Sequence, residues 1–375
     1  MDKKENKIFT FSIKKPNKDY ILLQNIKSKK DSRVYYFDWL RLISSFSVVL
    51  IHVSAQFYYK QKVDSYKWKI AYYYNGLSRF GVPTFFMISG ALFLKVDISI
   101  LKIYNKYIKR LFIHLLIWSV IYSYSKIQLS KIDLKKVVNL LIEGHYHLWY
   151  LFATIKLYAI IPFSREIARN EKLLKYYIII FFIFLFLIPN YIYFLSYYSK
   201  GISNLLNKIY LKLRLPHSFD NFYFCFGYYL NNKKPIKRKI RIIIYILGLI
   251  GVLITTKISY NVSFKKKKKI NHFFYKYFNV FFTSTSLFIF FKNNFNNLTI
   301  NKKNNNIIQK ISRHTFGIYL IHPLIIEKII IKLHLLSLTN NVLFLIPFIS
   351  IIVFALSLLI SIILKNIPLL GHYLI

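Results

Sequence analysis

Two residues of opposite chemical use share one apolar helix face. Arg41 and His52 are eleven residues apart, a spacing that returns to within roughly 20° of the same direction on an α-helix and sets the imidazole ~16 Å further along the axis. The stretch that carries them, 36–58, is apolar and long enough to cross a bilayer, which takes about 20 residues. Ionisable groups at such depth are costly and normally face a bundle interior or a wet cavity. One face of this helix therefore carries a cation near one membrane surface and a titratable base near mid-membrane, which is the equipment of general-base chemistry. Plainer readings stand beside it. Asp38 and Arg41, at i and i+3, can pair at the membrane edge, Arg41 can snorkel to headgroups, and His52 can be a satisfied core histidine.

Other residues that a bilayer does not tolerate idly lie downstream. Arg79 precedes Gly81, Val82 and Pro83, which start or interrupt a helix, and Ser89-Gly90 permits close helix approach. Arg79 itself can simply anchor at the outer end. His145 and His147, at i,i+2 of a helix, point to different sides, so no metal pair is expected there. Trp149 and Tyr150 suit an aromatic belt. Tyr319 and His322, at i,i+3, share one face, with a core role as the alternative to a catalytic one.

These residues need a scaffold, and composition names it. Hydrophobic residues make up 55% of the 375 and the mean hydropathy is +0.37, so the chain reads as an all-α polytopic membrane protein. The formal net charge of +42 lies mostly in lysines of loops between apolar runs, which argues against nucleic acid as a partner. The single cysteine, Cys225, leaves no intramolecular disulfide and no cysteine-rich metal site; it reads as a small core hydrophobe. Residues 1–35 are polar and basic and read as a cytoplasmic tail, not a cleavable signal. Apolar segments at 36–58, 77–94, 107–125, 148–163, 176–198, 218–231, 240–260, 273–291, 314–333 and 341–364 then predict a bundle of about ten transmembrane helices, the fourth and sixth short and tilted, broken or re-entrant. With the N-terminus inside, inner segments hold about 31 basic residues and outer ones about 19, as the positive-inside rule requires. The run Lys265–Lys269 falls outside under this scheme and is its one awkward feature. The stretch Lys292–Asn306 reads as a solvated loop.

Four stretches in order carry a resemblance. DWLR with His52 eleven residues after Arg41, VPTFFMISGALF, HLWYLFATIKLY and FGIYLIHPL resemble the membrane acyltransferase-3 family of bacterial surface-carbohydrate O-acyltransferases, from about Tyr36 to the tenth span. The resemblance implies one acyltransferase domain over 36–375, a multi-pass protein of the bacterial inner membrane, an acyl-CoA donor (acetyl-CoA first) reached from the cytosol, and a carbohydrate or lipid-linked sugar acceptor at or beyond the membrane, with no bound cofactor and no metal. It places Arg41 and His52 in the active site. An Arg-x-x-Arg pair that holds the CoA phosphates in that family matches Lys106-Tyr107-Ile108-Lys109-Arg110 here. Arg110 aligns with the second arginine and Tyr107 with the first, so positive charge is kept by Lys106 and Lys109 while one bidentate fork is lost. His114 stands where proline is frequent. The hydrolase-like domain that some relatives append is not expected.

Together these readings give a mechanism. Lys106, Lys109 and Arg110 attract the CoA phosphates, the pantetheine arm lies alongside Arg41, and His52 removes the proton of the acceptor hydroxyl as it attacks the thioester. A transient acyl-histidine is the rival version. Arg79, His147, Tyr319 and His322 are candidates for the acceptor side or for structural roles. Two further readings compete: an exporter of polysaccharide or lipid-linked sugar on the same scaffold, as described for some sequences resembling this family, and a structural membrane protein, which leaves Arg41 and His52 unexplained.

Overall fold

The computed structural model describes residues 34–63, 65–126, 139, 142, 144–196, 198–213, 215, 218–265, 277–295, 302–337, 341–368 and 371–375. The tail up to residue 33, positions 266–269 of the lysine run and 296–301 of the asparagine-rich loop lie outside these. Among the described residues every regular element is a helix.

The helix that carries Arg41 and His52, α1 (Tyr35–Lys60), is buried on most of its circumference, as expected of a segment with little polar surface to show. It contacts helices α2 (Tyr66–Leu77) and α3 (Gly81–Phe93) from the following segment, and four elements from the far end of the chain reach it as well. Those are α11 (Phe278–Phe295), α12 (Lys302–Ser312), α13 (Thr315–Ile325, continued by a π-helical turn Ile326–Ile330) and α14 (Val342–Lys365). Ser44 and Ser47 give α1 the small surface this crowding needs. Ser47 Oγ donates to the Ser44 carbonyl at 2.8 Å, and Gly81 sits on that pair so closely that a Cβ would overlap it. Small residues of this kind let helix backbones approach in a membrane.

The second apolar segment begins earlier than the expected residue 77. Trp68, Ala71, Tyr72, Asn75 and Gly76 are buried at i, i+3, i+4, i+7 and i+8 of α2, and Ser65 caps it by accepting from the Trp68 amide at 3.2 Å. Lys60 closes α1 and Lys62 lies between the two helices, while Lys67 and Lys69 flank the buried stripe of α2 and are themselves half-buried, so the density of lysines hides the stripe. The chain turns at Ser78–Phe80 and resumes as α3.

Between α3 and α4 (Lys109–Lys126) lie a short turn Ile100–Lys102 and a π-helical stretch Ile103–Ile108. α5 (Trp149–Ala159) and α6 (Ile161–Arg169) form a broken pair, followed by α7 (Glu171–Leu195), α8 (Lys200–Leu213), α9 (Phe219–Asn232) and α10 (Arg238–Lys265). Four segments among the described residues are long and apolar enough by themselves to cross a membrane: Tyr35–Lys60, Tyr66–Phe93, Glu171–Leu195 and Val342–Lys365. Three of the other expected spans fall short of that criterion: α4 opens with Lys109 and Arg110 and carries His114, α5 and α6 part at Ile160, and α9 has 14 residues. α8 and α12 were not expected as helices.

At one end of the bundle, charged side chains tie chain ends together. Lys292 Nζ donates to the carbonyls of Leu230 (2.7 Å), Asn231 (2.8 Å) and Lys233 (2.7 Å), which satisfies the orphan acceptors at the C-terminus of α9. Arg165 on α6 bridges to Asp97 at 3.2 Å and to the Ile98 carbonyl at 3.0 Å. Tyr36 OH donates to Asn231 Oδ1 at 2.5 Å, which joins the start of α1 to the same end.

α3 and α9 pack backbone against backbone. A Cβ on Gly90 would overlap the Phe224 carbonyl, and one on Gly227 would overlap the backbone of Met87. Here neither neighbour is a flexible side chain, so relief requires moving a helix. Gly227→Val should therefore cost at least 1–3 kcal/mol, about the usual range for overpacking, and lower the melting temperature in detergent. A melting temperature equal to wild type would show that the two helices do not touch through their backbones.

Candidate active site

A cavity of about 250 Å³ is built on α1. Arg41, Ser45, Val48 and His52 line it; their spacing of four, three and four is one face of an α-helix. The shared face read from the sequence is thus realised, and its two ends open into one space. α3 contributes Val82, Phe85, Ser89 and Phe93, α5 contributes Trp149, Tyr150 and Tyr158, and α13 contributes Thr315, Phe316, Tyr319 and His322, again at helical spacing. His147 joins them from the turn ahead of α5.

Of the residues singled out in the sequence, Arg41, His52, His147, Tyr319 and His322 meet here. Arg41 Nη1 donates to Asp38 Oδ1 at 3.2 Å, with the carboxylate buried and the guanidinium partly exposed. The short-range pairing offered as the plainer reading of Asp38 therefore exists, and it coexists with Arg41 on the cavity wall. Ser312 Oγ donates to the same Asp38 oxygen at 2.5 Å. The His52 ring lies 5.2 Å from that of His322 and 5.2 Å from that of Tyr146. Tyr319 OH donates to the His147 carbonyl at 2.7 Å, which fixes the turn against α13.

Arg79 is not among the lining residues. Its Nε and Nη2 donate to Asn75 Oδ1 at 3.0 and 2.5 Å, and Asn75 Nδ2 donates to the Ile51 carbonyl and Ser54 Oγ at 3.1 and 3.2 Å. These contacts bracket His52 along α1 and tie Arg79 to that helix through Asn75.

Lys106, Lys109 and Arg110 line a separate cavity of about 360 Å³, together with Asn105, Tyr107, His114, His372 and Tyr373. Arg110 Nη2 donates to the Ile375 carbonyl at 3.2 Å, and Trp118 Nε1 to the Leu374 carbonyl at 2.9 Å, so the terminal helix α15 (Gly371–Leu374) is held against α4. An aromatic partition stands between the two cavities. Tyr107, on the basic side, meets Phe93 at 5.0 Å and Tyr158 at 6.2 Å, and both of these line the first cavity. His114 likewise meets Phe316 at 5.2 Å.

The expectation for His145 and His147 is corrected. The residues are not helical: Gly144 has φ +67°, and the Leu148 amide donates back to the His145 carbonyl at 2.8 Å in a turn. On that turn the two rings converge, with their Nδ1 atoms 2.7 Å apart. His145 Nε2 lies 3.0 Å from Glu327 Oε1, and Tyr122 stacks on its ring at 4.1 Å. Neither His145 nor Glu327 figured among the expected site residues. Among the described residues no group of three or more histidine, cysteine, aspartate or glutamate side chains is placed to hold a metal ion.

A family model described as an acyltransferase domain matches residues 34–365, which includes every residue lining the first cavity. The chain belongs to the acyltransferase-3 family. It is a membrane acyltransferase. No curated protein and no solved structure matches it. As a member of the acyltransferase-3 family it carries Tyr107 where the family resemblance leads one to look for an arginine, and the structure gives that tyrosine a different task, as part of the partition between the cavities.

Proposed function

We propose that this acyltransferase moves an acyl group, acetyl first, from acyl-CoA to a hydroxyl of a cell-surface or lipid-linked carbohydrate. The observation that carries the reading is a basic cavity and a histidine-lined cavity that share an aromatic partition. Lys106, Lys109 and Arg110 supply cationic donors suited to phosphates. Arg41 stands at the near end of the next cavity and His52 at the far end.

In the proposed reaction His52 accepts the hydroxyl proton as the oxygen forms its bond to the thioester carbon. The carbon–sulfur bond then breaks, and the proton passes from His52 to the departing thiolate. The products are the ester and CoA–SH, and His52 ends as it began. Phe85, Trp149 and Phe316 give the cavity an apolar lining, which favours the acceptor over water.

The orientation we propose puts the N-terminus in the cytoplasm of a bacterial inner membrane, with ten crossings. Supporting it, the end of the bundle that begins α1 also collects Arg165, Arg169, Lys233 and Lys292 through their bonds to Asp97, Glu171 and the end of α9, a basic bias of the kind inner faces carry.

Donor binding gives the direct test. Lys106→Glu with Arg110→Glu should raise KM for acyl-CoA by about tenfold or more with little change in kcat, because docking charges act on ground and transition states alike. Cys225→Ser is the matched control and should leave transfer intact. Unchanged donor saturation in a properly inserted double variant would remove these residues from the site.

A further inference from the structure

The first cavity holds three imidazoles, and the neighbours of two of them decide where their protons sit. His322 Nδ1 faces the Ile318 carbonyl at 3.1 Å. A carbonyl accepts only, so that nitrogen carries the hydrogen and Nε2 is bare. Nε2 is buried with no hydrogen-bond partner among the described residues.

His147 is set by a longer chain. An ionised Glu327 carboxylate can only accept, so at 3.0 Å it requires a hydrogen on His145 Nε2. Neutral His145 then presents a lone pair at Nδ1. The facing Nδ1 of His147, 2.7 Å away, must supply the hydrogen between them. That leaves His147 Nε2, on the opposite edge of the ring, as a lone pair; it too is buried and without a hydrogen-bond partner among the described residues. The reverse chain would set a bare His145 Nε2 against a carboxylate, two acceptors in contact. The Tyr122 stack on His145 and the Tyr319 bond to the His147 carbonyl hold both rings in this register.

We propose that Glu327 and His145 are positioning residues that keep His147 in the tautomer with a bare Nε2, so that His147 binds the acceptor by accepting a hydrogen bond from one of its hydroxyls. The role rests on the acyl-transfer reading for its substrate, while the tautomer itself does not. It divides the cavity's work: His52 takes the reacting proton, and His147, beside the shared neighbour His322 (ring distances 5.2 Å to His52 and 5.8 Å to His147), holds the polyhydroxylated partner. A buried acceptor aimed at a hydroxyl selects for sugars over apolar alcohols, because a partner lacking the hydroxyl leaves it unpaired.

Two measurements test this. In full-length protein labelled with ¹⁵N-histidine, the His147 resonances, assigned by comparison with His147→Gln, should show a protonated Nδ1 and a bare Nε2. Glu327→Ala should abolish that single tautomer, and Glu327→Gln, whose amide oxygen can still accept from His145, should largely keep it. In transfer assays Glu327→Ala should raise KM for the acceptor by about 10- to 100-fold, the scale seen when a group that orients a functional histidine is removed, leaving KM for acyl-CoA unchanged, with Glu327→Gln recovering most of the loss. A wild-type His147 protonated on Nε2, as a doubly protonated His145 would demand, overturns the assignment whatever the enzyme's activity. So does a Glu327→Ala protein with unaltered tautomer and unaltered acceptor KM. A wild type that transfers no acyl group but shows the expected tautomer would instead count against the acyl-transfer reading alone.

Discussion

Replacing His52 by alanine should lower acyl transfer by about 10²- to 10⁴-fold, the usual consequence of losing a general base. His52 lines the cavity at the level of His322 and Tyr146, and in the proposed reaction it is the group that both removes the hydroxyl proton and returns it to sulfur. Insertion and abundance should stay near wild type, because a methyl in place of an imidazole removes a polar group from an apolar bundle. Raising the donor concentration should not restore activity, since the lost step is chemical. Rapid transfer by a well-folded His52→Ala protein would remove His52 from the chemistry and leave it as a lining residue.

The second large effect should come from Arg41. Arg41→Ala should lower transfer at limiting acyl-CoA by about 10- to 100-fold and recover partly at high donor, because a guanidinium that guides the donor contributes mainly to binding. The substitution has a second consequence. Asp38 is buried, and without Arg41 its carboxylate relies on Ser312 and its remaining contacts, a change that costs about 1–3 kcal/mol or more. The two effects separate in the double variant Asp38→Asn with Arg41→Gln: an amide pair should restore the melting temperature and leave donor use impaired. If the double variant regains donor use as well as stability, Arg41 serves the fold and not the donor.

What the sequence made legible was local. The common face of Arg41 and His52 follows from helical period within one element, and so does the pair Tyr319 and His322; both depend on nothing outside their own helices. The family resemblance gave four motifs in order, and their meeting around one cavity is a property of the fold. Three features were hidden for physical reasons. The chain Glu327–His145–His147 joins positions 182 residues apart in sequence, and His145 and His147 converge only because Gly144 takes a left-handed conformation that ends any helical register. The start of α2 was masked by the lysines before it and by Lys67 and Lys69, which flank its buried stripe. Arg79 drew attention as a charge in an apolar setting; its bond to Asn75, which reaches α1, was not readable from the sequence. Lys106, Lys109 and Arg110 were recognisable as a basic cluster; that Tyr107 stands between them and the His52 cavity required Phe93 and Tyr158 from two other helices.

The most direct test of the account is a single-turnover experiment on the purified protein in nanodiscs, with labelled acetyl-CoA and glycan extracted from the source membrane as acceptor. The account predicts that wild type releases CoA in step with the appearance of labelled ester on the glycan, and that His52→Ala does neither on the same time scale. Wild type that releases no CoA in the presence of authentic acceptor would contradict it, and would favour movement of the glycan across the membrane over its acylation.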